Sequence, residues 1–295
     1  MTQPASQLPA VVEPSRNELR RLRSHYQFSH APFSKFAWAA HMYDSTSQKE
    51  LHHGLLLWLE IRGIALVTGP SGVGKSITLR RFVSGLDTAR YRVIDFSGYV
   101  PSTVHGFLRS LNRKLGLKDR MHTTDLFDQI QAHLVAGETD TGAHPLLVLD
   151  DAEGVCAPVL DALRRLTGHK LDGEEPLSVV IAGTDDLMSV LREAQLFPLV
   201  TRIAYAQQLR PFGLEDTRNY IRHQLERASV SLKLFSDDAV RRIFQASQGK
   251  PRSINQLALQ AMIQAAVAGK DEINGEFLAN MIQSHPLYQA TGATR

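Results

Sequence analysis

The sequence predicts an α/β protein with a parallel sheet flanked by helices, followed by an all-helical C-terminal region. Three observations support this prediction. Residues 63–68 are an apolar segment followed by a glycine-rich loop and a helical pattern. A second apolar segment, residues 145–149, ends in two aspartates, and beyond Pro211 the hydrophobic pattern is helical only. Continuous apolar strands that alternate with helices are typical of buried parallel sheets.

The glycine-rich loop at residues 69–76 reads GPSGVGKS and completes the pattern G-x-x-x-x-G-K-[S/T] between a strand and a helix. Its glycines allow successive backbone N–H groups to surround phosphate oxygens, and the helix N-terminus adds partial positive charge. Lys75 would neutralise the β- and γ-phosphates of ATP, and the Ser76 hydroxyl would ligate Mg²⁺. The predicted nucleotide-binding residues here are Gly69, Pro70, Ser71, Gly72, Val73, Gly74, Lys75, Ser76 and Ile77.

Asp150 and Asp151 follow the second apolar strand, and ligands of open α/β sheets bind at the carboxyl ends of strands. We expect Asp150 to hold Mg²⁺ and Asp151 to orient or deprotonate the attacking water. The alternative is that both acids cap the helix that starts near Ala157. A third strand, residues 177–184, ends in the polar residue Thr184. Inserted between the other two, it would bring Thr184 near the γ-phosphate, an order that suggests the ASCE branch of P-loop ATPases.

The remaining elements follow from local patterns. Tyr91–Phe96 is predicted to be a strand, and helices are predicted at 47–60, 102–115 and 124–136, with Thr124 as a possible cap of the last. Beyond Pro211, helices are predicted at 214–227, 236–246, 251–268 and 274–283, with Ser236 as the cap of the second.

Arg252 follows Pro251 at the predicted start of a helix. A cation is unfavourable there, because the helix dipole already makes this end positive. We therefore expect Arg252 to face an anion, and bound ATP is the obvious one.

Composition sets broad limits. The chain has 295 residues, 43% hydrophobic and 21% charged, which suffices for an α/β domain and a smaller one. The net charge of +3 and pI near 9.0 permit an acidic or nucleic-acid partner without requiring one. Cys156 is the only cysteine, which excludes an intrachain disulfide and fits a reducing compartment. No segment has the length of an apolar membrane span, and the N-terminus lacks a signal-peptide pattern, so we expect a cytoplasmic protein without membrane contact.

Several motifs together resemble the ExeA-type AAA+ ATPases. They are the GKPRSIN segment at 249–255 with FSDDAV before it at 235–240, APF at 31–33, GTDDL at 183–187 and LRPF at 209–212. The resemblance spans about residues 28–283. Relatives of this family, the TnsC, MuB and IstB ATPases, form nucleotide-dependent oligomers on DNA and recruit or activate a transposase. The segment at 183–187 is especially similar to the TnsC version.

The resemblance implies a role for each matching residue. Lys75 and Ser76 would form Walker A, Asp150 and Asp151 Walker B, Thr184 sensor 1 and Arg252 sensor 2. Arg202 stands where an arginine finger would reach the ATP of a neighbouring subunit, with Arg192 as a rival; the alternative is that Arg202 is an ordinary surface residue. Most relatives carry Glu at the position of Asp151, and the shorter side chain predicts slow hydrolysis.

The resemblance also implies contacts with the DNA backbone from the loop after the second strand and the helix beyond it. The candidates are Tyr99, Ser102, Thr103, Arg109, Arg113 and Lys114. The alternative is a solvated loop and helix face.

The sequence thus predicts an ATP- and Mg²⁺-dependent AAA+ ATPase that assembles as a ring or helical filament on double-stranded DNA and delivers a target site to a transposase. The alternatives are a secretion-linked ATP switch and a DNA-binding adaptor without significant hydrolysis. We expect a disordered basic arm at 1–27, the AAA+ core at 28–211, a helical lid at 212–284 and a flexible tail at 285–295.

Overall fold

The computed structural model describes residues 23–34, 42–168 and 175–284. Residues 1–22 of the predicted N-terminal arm and the whole predicted tail lie outside this part of the chain. The described residues fall into two compact units. An α/β unit extends to Phe212 and includes Lys250–Arg252, and a helical unit contains Gly213–Gly249, the chain from Ser253 onward and the N-terminal segment. No helix in the described ranges is both long and apolar enough to cross a bilayer.

The α/β unit alternates strands and helices along the chain. Its strands are β1 (Ile64–Thr68), β2 (Tyr91–Phe96), β3 (His144–Leu149), β4 (Ser178–Gly183) and β5 (Ile203–Gln208). Its helices are α1 (Thr46–Ile61), α2 (Lys75–Ser84), α3 (Val104–Lys114), α4 (Thr123–Thr141), α5 (Ala157–Leu166), α6 (Asp185–Leu191) and α7 (Phe197–Val200), with short 3₁₀ turns at Ala152–Gly154 and Ala194–Leu196.

The five strands form one sheet in the order β2-β3-β4-β1-β5, and every pairing is parallel. The predicted fold class is therefore confirmed. Strand β4 pairs with β3 on one side and with β1 on the other, so the predicted insertion of this strand is also confirmed. Because all strands run the same way, the segments that follow β1, β3 and β4 meet at one edge of the sheet.

The hydrophobic core lies in two layers, one on each face of the sheet. Successive residues of a strand point to opposite faces. In β3, Leu147 and Leu149 join the layer covered by α3, α4 and α5, whereas Leu146 and Val148 join the layer covered by α1 and α2. Burial on both faces explains why β1, β3 and β4 are continuous apolar runs rather than alternating ones.

Capping side chains fix the starts of several helices. The Ser45 hydroxyl accepts a hydrogen bond from the Gln48 backbone N–H at the start of α1, and Thr103 accepts one from Gly106 at the start of α3. The predicted cap by Thr124 is wrong. Helix α4 begins at Thr123, so Thr124 lies inside its first turn, and His122 occupies the cap position without a side-chain hydrogen bond.

The helical unit contains α8 (Leu214–Arg227), α9 (Asp237–Ser247), most of α10 (Pro251–Val267) and α11 (Gly275–Ser284). The prediction that Ser236 caps α9 is confirmed, since its hydroxyl accepts the Ala239 N–H at 3.2 Å. The N-terminal segment packs here as well: the Tyr26 hydroxyl donates to the Met262 carbonyl at 2.9 Å. The structure thus groups residues 28–34 with the helices, although the sequence had assigned them to the α/β core.

Helix α1 offers a matched test of the core. Leu55 is fully buried, whereas Leu57, on the same helix, is 56% exposed. We expect Leu55→Ala to lower the free energy of unfolding of the α/β unit by about 2–5 kcal/mol, because it removes buried methyl groups and leaves a cavity. Leu57→Ala should stay within about 0.5 kcal/mol. Urea denaturation of both variants measures the difference, and equal effects would contradict the described packing.

Candidate nucleotide-binding site

The glycine-rich loop links β1 to α2 as the sequence predicted. Lys75 is 6% exposed, and its ammonium donates hydrogen bonds to the carbonyls of Gly69 at 2.7 Å and Pro70 at 3.3 Å. Gly74 stands at the cap position of α2, and no side chain caps that helix. The first N–H groups of α2 therefore point to the loop without a capping side chain, which is the arrangement that binds phosphate.

All three loop glycines exclude a side chain, Gly69 because a Cβ there would lie 2.5 Å from the Leu209 carbonyl oxygen. Gly72 has φ of 78°, and a Cβ there would lie 2.9 Å from the Cβ of Arg252. Gly74 has φ of 113°, and a Cβ there would lie 3.0 Å from Gln48 Nε2. Both positions need glycine for its positive φ and for close approach.

Arg252 lies in the first turn of α10, within the α/β unit, and contacts the loop directly. Its guanidinium Nη1 donates to the Ser71 hydroxyl at 3.3 Å, and its backbone N–H donates to the Gly72 carbonyl at 3.2 Å. The guanidinium is therefore beside the loop that would surround the phosphates, where an arginine can pair with phosphate oxygens.

Asp150 follows β3 and is 6% exposed. Burial raises the pKa of its carboxyl, while a hydrogen bond from the Ser76 hydroxyl acts in the opposite direction. The Ser76 hydroxyl and the Asp150 carboxylate are adjacent. Both offer the oxygen ligands that Mg²⁺ prefers. The residues present therefore fit a Mg²⁺ ion whose other ligands would be phosphate and water oxygens.

Asp151 is exposed and has a left-handed backbone, with φ of 56°. Its N–H donates to the Asp150 carboxylate at 3.0 Å, so the strand ends in a tight turn at this position. The turn directs the chain into the short 3₁₀ segment Ala152–Gly154. Asp151 remains the predicted residue for activating water.

Burial lowers the pKa of the Lys75 ammonium, and nearby carboxylates oppose that shift. In order of effect, these are Glu153, Asp150, Asp151 and Asp185. Lys75 is thus the centre of an acidic cluster at the carboxyl edge of the sheet.

Glu153 was not among the residues predicted from the sequence. Its carboxylate Oε2 accepts the backbone N–H of Thr184 at 3.2 Å and so joins the turn after β3 to the end of β4. The Thr184 hydroxyl donates to the Asp186 carboxylate at 3.5 Å. The sequence does show Glu153 as a third acid shortly after the two aspartates. Its contact with Thr184 could not be predicted, because that contact depends on the order of the strands in the sheet.

Arg202 lies at the amino-terminal end of the parallel strands, since it precedes β5. Lys75 lies at their carboxyl end, since it follows β1. A six-residue strand spans about 20 Å. The Arg202 guanidinium donates to the Arg164 carbonyl at 3.1 Å, near the end of α5, and the rival Arg192 is exposed at the end of α6.

The six residues predicted to contact DNA have different surroundings. Tyr99 is 77% exposed on the loop after β2, and Ser102 and Arg113 are also exposed. Thr103 caps α3, and the Arg109 guanidinium forms a bidentate ion pair with the Asp119 carboxylate. The Lys114 ammonium lies 4.9 Å from the centre of the Phe96 ring. Of the three cations, Arg109 is thus the one that forms an ion pair with another residue in the described part of the chain.

A comparison with family models matches residues 60–191 to an AAA domain, a range that contains the loop, the paired acids and Thr184. Residues 60–191 are thus similar in sequence to AAA domains. The curated General secretion pathway protein A of Aeromonas hydrophila is 29% identical over 217 residues, which cover 72% of this chain and 38% of that protein. The chain therefore spans less than two fifths of the length of this relative.

Solved structures show the same fold at low sequence identity. A Cdc6p from Pyrobaculum aerophilum matches with a TM-score of 0.61 and 20% identity, over 82% of this chain and 67% of that one. An ORC2 protein from Aeropyrum pernix, solved as ADPNP–ADP complexes, matches with a TM-score of 0.63 and 14% identity, over 88% and 72%. The RuvB Holliday junction branch migration motor from Thermotoga maritima matches with a TM-score of 0.51 and 18% identity, over 80% and 68%. The parallel sheet and its flanking helices thus match the P-loop AAA+ fold of these structures.

The contact of Gly72 with Arg252 can be tested against a glycine of nearly equal backbone conformation. Gly116 has φ of 76°, close to the 78° of Gly72, but a Cβ there would meet nothing within 4 Å. Alanine at either position incurs the left-handed strain of about 1–2 kcal/mol. We expect only Gly72→Ala to weaken binding of a fluorescent ATP analogue, by about tenfold or more, which corresponds to about 1.4 kcal/mol. Equal affinities in the two variants would argue against this contact.

Proposed function

We propose that this chain binds ATP with Mg²⁺ and hydrolyses it to ADP and phosphate. The observation that carries the proposal is the meeting of Lys75, Ser76, Asp150 and Thr184 at one edge of a parallel sheet within an AAA domain. A buried lysine beside an uncapped helix start suits a polyphosphate, and the adjacent hydroxyl and carboxylate suit its metal ion.

Each side chain has a part in this proposal. Lys75 neutralises charge on the β- and γ-phosphates, and Ser76 and Asp150 hold Mg²⁺, which when bound shields the phosphate oxygens. Asp151 orients the attacking water, and Arg252 adds positive charge beside the loop. Thr184 contributes its hydroxyl at the end of β4, between the loop and the acids.

We infer that hydrolysis is slow and depends on self-association. Asp151 has a short side chain on an exposed turn, and its carboxylate would be about one carbon farther back than that of a glutamate. A misplacement of about 1 Å can cost on the order of 100-fold in rate. Arg202 is a strand length from its own loop, which favours action on the ATP of a neighbouring copy in a ring or filament.

The first test removes the lysine charge. We expect Lys75→Ala to reduce ATP hydrolysis by at least about 100-fold, because the developing phosphate charge loses its main counter-ion. Lys49→Ala, an exposed lysine on α1, is the matched control and should keep wild-type activity. Phosphate release with Mg²⁺, with and without duplex DNA, is the measurement. Equal rates in the two variants would refute the proposal.

For the partner, we propose double-stranded DNA and a role in transposition, in which the assembled protein marks target DNA in the cytoplasm and recruits a transposase. The support comes from the TnsC-like segment at 183–187, the basic pI near 9.0 and the exposed loop that carries Tyr99. The competing proposal is a secretion-linked ATP switch, which the similarity to General secretion pathway protein A favours. A DNA-binding adaptor without significant hydrolysis would share the DNA contacts but release no phosphate.

The DNA proposal predicts a change in salt dependence. Each phosphate contact contributes about 0.9 to the slope of log affinity against log salt concentration. The double variant Arg113→Ala/Lys114→Ala should lower that slope by about 2. Arg241→Ala, an exposed cation on α9, is the control and should leave it unchanged. Binding to a labelled duplex with a non-hydrolysable ATP analogue gives the slopes. An unaltered slope in the double variant excludes this surface, and an absence of DNA binding in the wild type favours the secretion-linked alternative.

A further inference from the structure

Glu153 lies where three features of the site meet. It belongs to the 3₁₀ turn after Asp150 and Asp151, and its carboxylate accepts a hydrogen bond from the backbone N–H of Thr184. Of the nearby acids, it also does most to oppose the lowering of the Lys75 pKa by burial. Its side chain is half-buried, so the contact with Thr184 is partly shielded from water. None of the roles assigned above uses this carboxylate.

The residue before Thr184 leaves room for this contact. A Cβ on Gly183 would lie 2.9 Å from Glu153 Oε2, and also 2.8 Å from Leu187 Cδ2. Gly183 does not have a left-handed backbone, so it is the space and not the conformation that favours glycine here. The end of β4 is therefore shaped to accept a carboxylate from the neighbouring turn.

The geometry points to Glu153 as a positioning residue for ATP hydrolysis, which acts by holding the end of β4 so that the Thr184 hydroxyl faces the γ-phosphate. This inference rests on the proposed ATPase function. Strand β4 ends at Gly183, and Thr184 begins the turn into α6 without a side-chain cap. The Glu153 carboxylate supplies a partner for the Thr184 N–H, and thereby joins the turn that carries Asp150 and Asp151 to the residue expected to sense the γ-phosphate.

Two conservative variants separate the effect of the length of the Glu153 side chain from the effect of its charge. Glu153→Gln keeps the length of the side chain and an oxygen that accepts the Thr184 N–H, but it removes the charge. Glu153→Asp keeps the charge and withdraws the carboxylate by about one carbon. If Glu153 acts through its hydrogen bond, kcat should stay within about threefold in Glu153→Gln and fall by about 10- to 100-fold in Glu153→Asp, in line with the cost of a misplacement of about 1 Å. KM and the affinity for ATP should stay within about twofold in both.

A double-mutant comparison tests the route of action. Thr184→Ala removes the hydroxyl but keeps the backbone N–H that Glu153 accepts. If Glu153 works through the position of Thr184, then Glu153→Asp should cause no further fall in kcat in the Thr184→Ala background. Glu50→Ala, an exposed acid on α1, is the control and should not change kcat in either background. Thermal unfolding of every variant verifies that it is folded.

The outcomes separate the two proposals. A wild-type protein without ATPase activity refutes the proposed function, and the positioning role with it. An active wild type overturns the positioning role alone if Glu153→Asp keeps full activity, if Glu153→Gln falls as far as Glu153→Asp, or if the effects of Glu153→Asp and Thr184→Ala multiply. A loss confined to Glu153→Asp, absent from the Thr184→Ala background and without a change in ATP affinity, supports it.

Discussion

The pairing of β4 with both β3 and β1 determines the dimensions of the candidate site. Neighbouring strands lie about 4.8 Å apart, so with β4 inserted the carboxyl ends of β1 and β3 are about 10 Å apart, and the Ser76 hydroxyl at the start of α2 reaches the Asp150 carboxylate across that distance. The apolar side chains that bury β4 on both faces thus also set the width of the site.

The electrostatics of the site are balanced between buried groups of opposite sign. Burial lowers the pKa of Lys75 and raises the pKa of Asp150, so the interior disfavours the charge of each. The carboxylates around Lys75 partly restore its charge, and the Ser76 hydroxyl partly stabilises that of Asp150. A polyphosphate with its metal ion would supply counter-charges to both buried groups at once.

Local patterns predicted the fold well. Strand Tyr91–Phe96 and helix Leu214–Arg227 have the predicted bounds, because each is limited by clear changes in hydrophobic period. The part of the site within the glycine-rich loop could also be predicted from the sequence, because the spacing of its glycines and lysine defines its geometry. The cap of α4 was misjudged because His122 and Thr124 compete within one turn, and only the folded chain decides where the helix begins.

Contacts between segments that are distant along the chain could not be predicted from the sequence. The bond from Thr184 to Glu153 joins residues 31 positions apart, and the contact of Arg252 with Ser71 joins residues 181 positions apart. Helix-dipole reasoning predicted that Arg252 faces an anion, and in the described structure its guanidinium contacts Ser71 of the glycine-rich loop. Which cations of α3 are neutralised likewise depends on the chain beyond the helix, where Asp119 is found.

Arg202 and Lys75 lie at opposite ends of the parallel strands. In any assembly in which each copy supplies Arg202 to the nucleotide site of the next, this determines how many sites are complete. A closed ring would contain as many complete sites as subunits, whereas an open helix would always leave one terminal site without its arginine. A subunit added at that end would supply the arginine to the previously terminal site and would itself become the incomplete one.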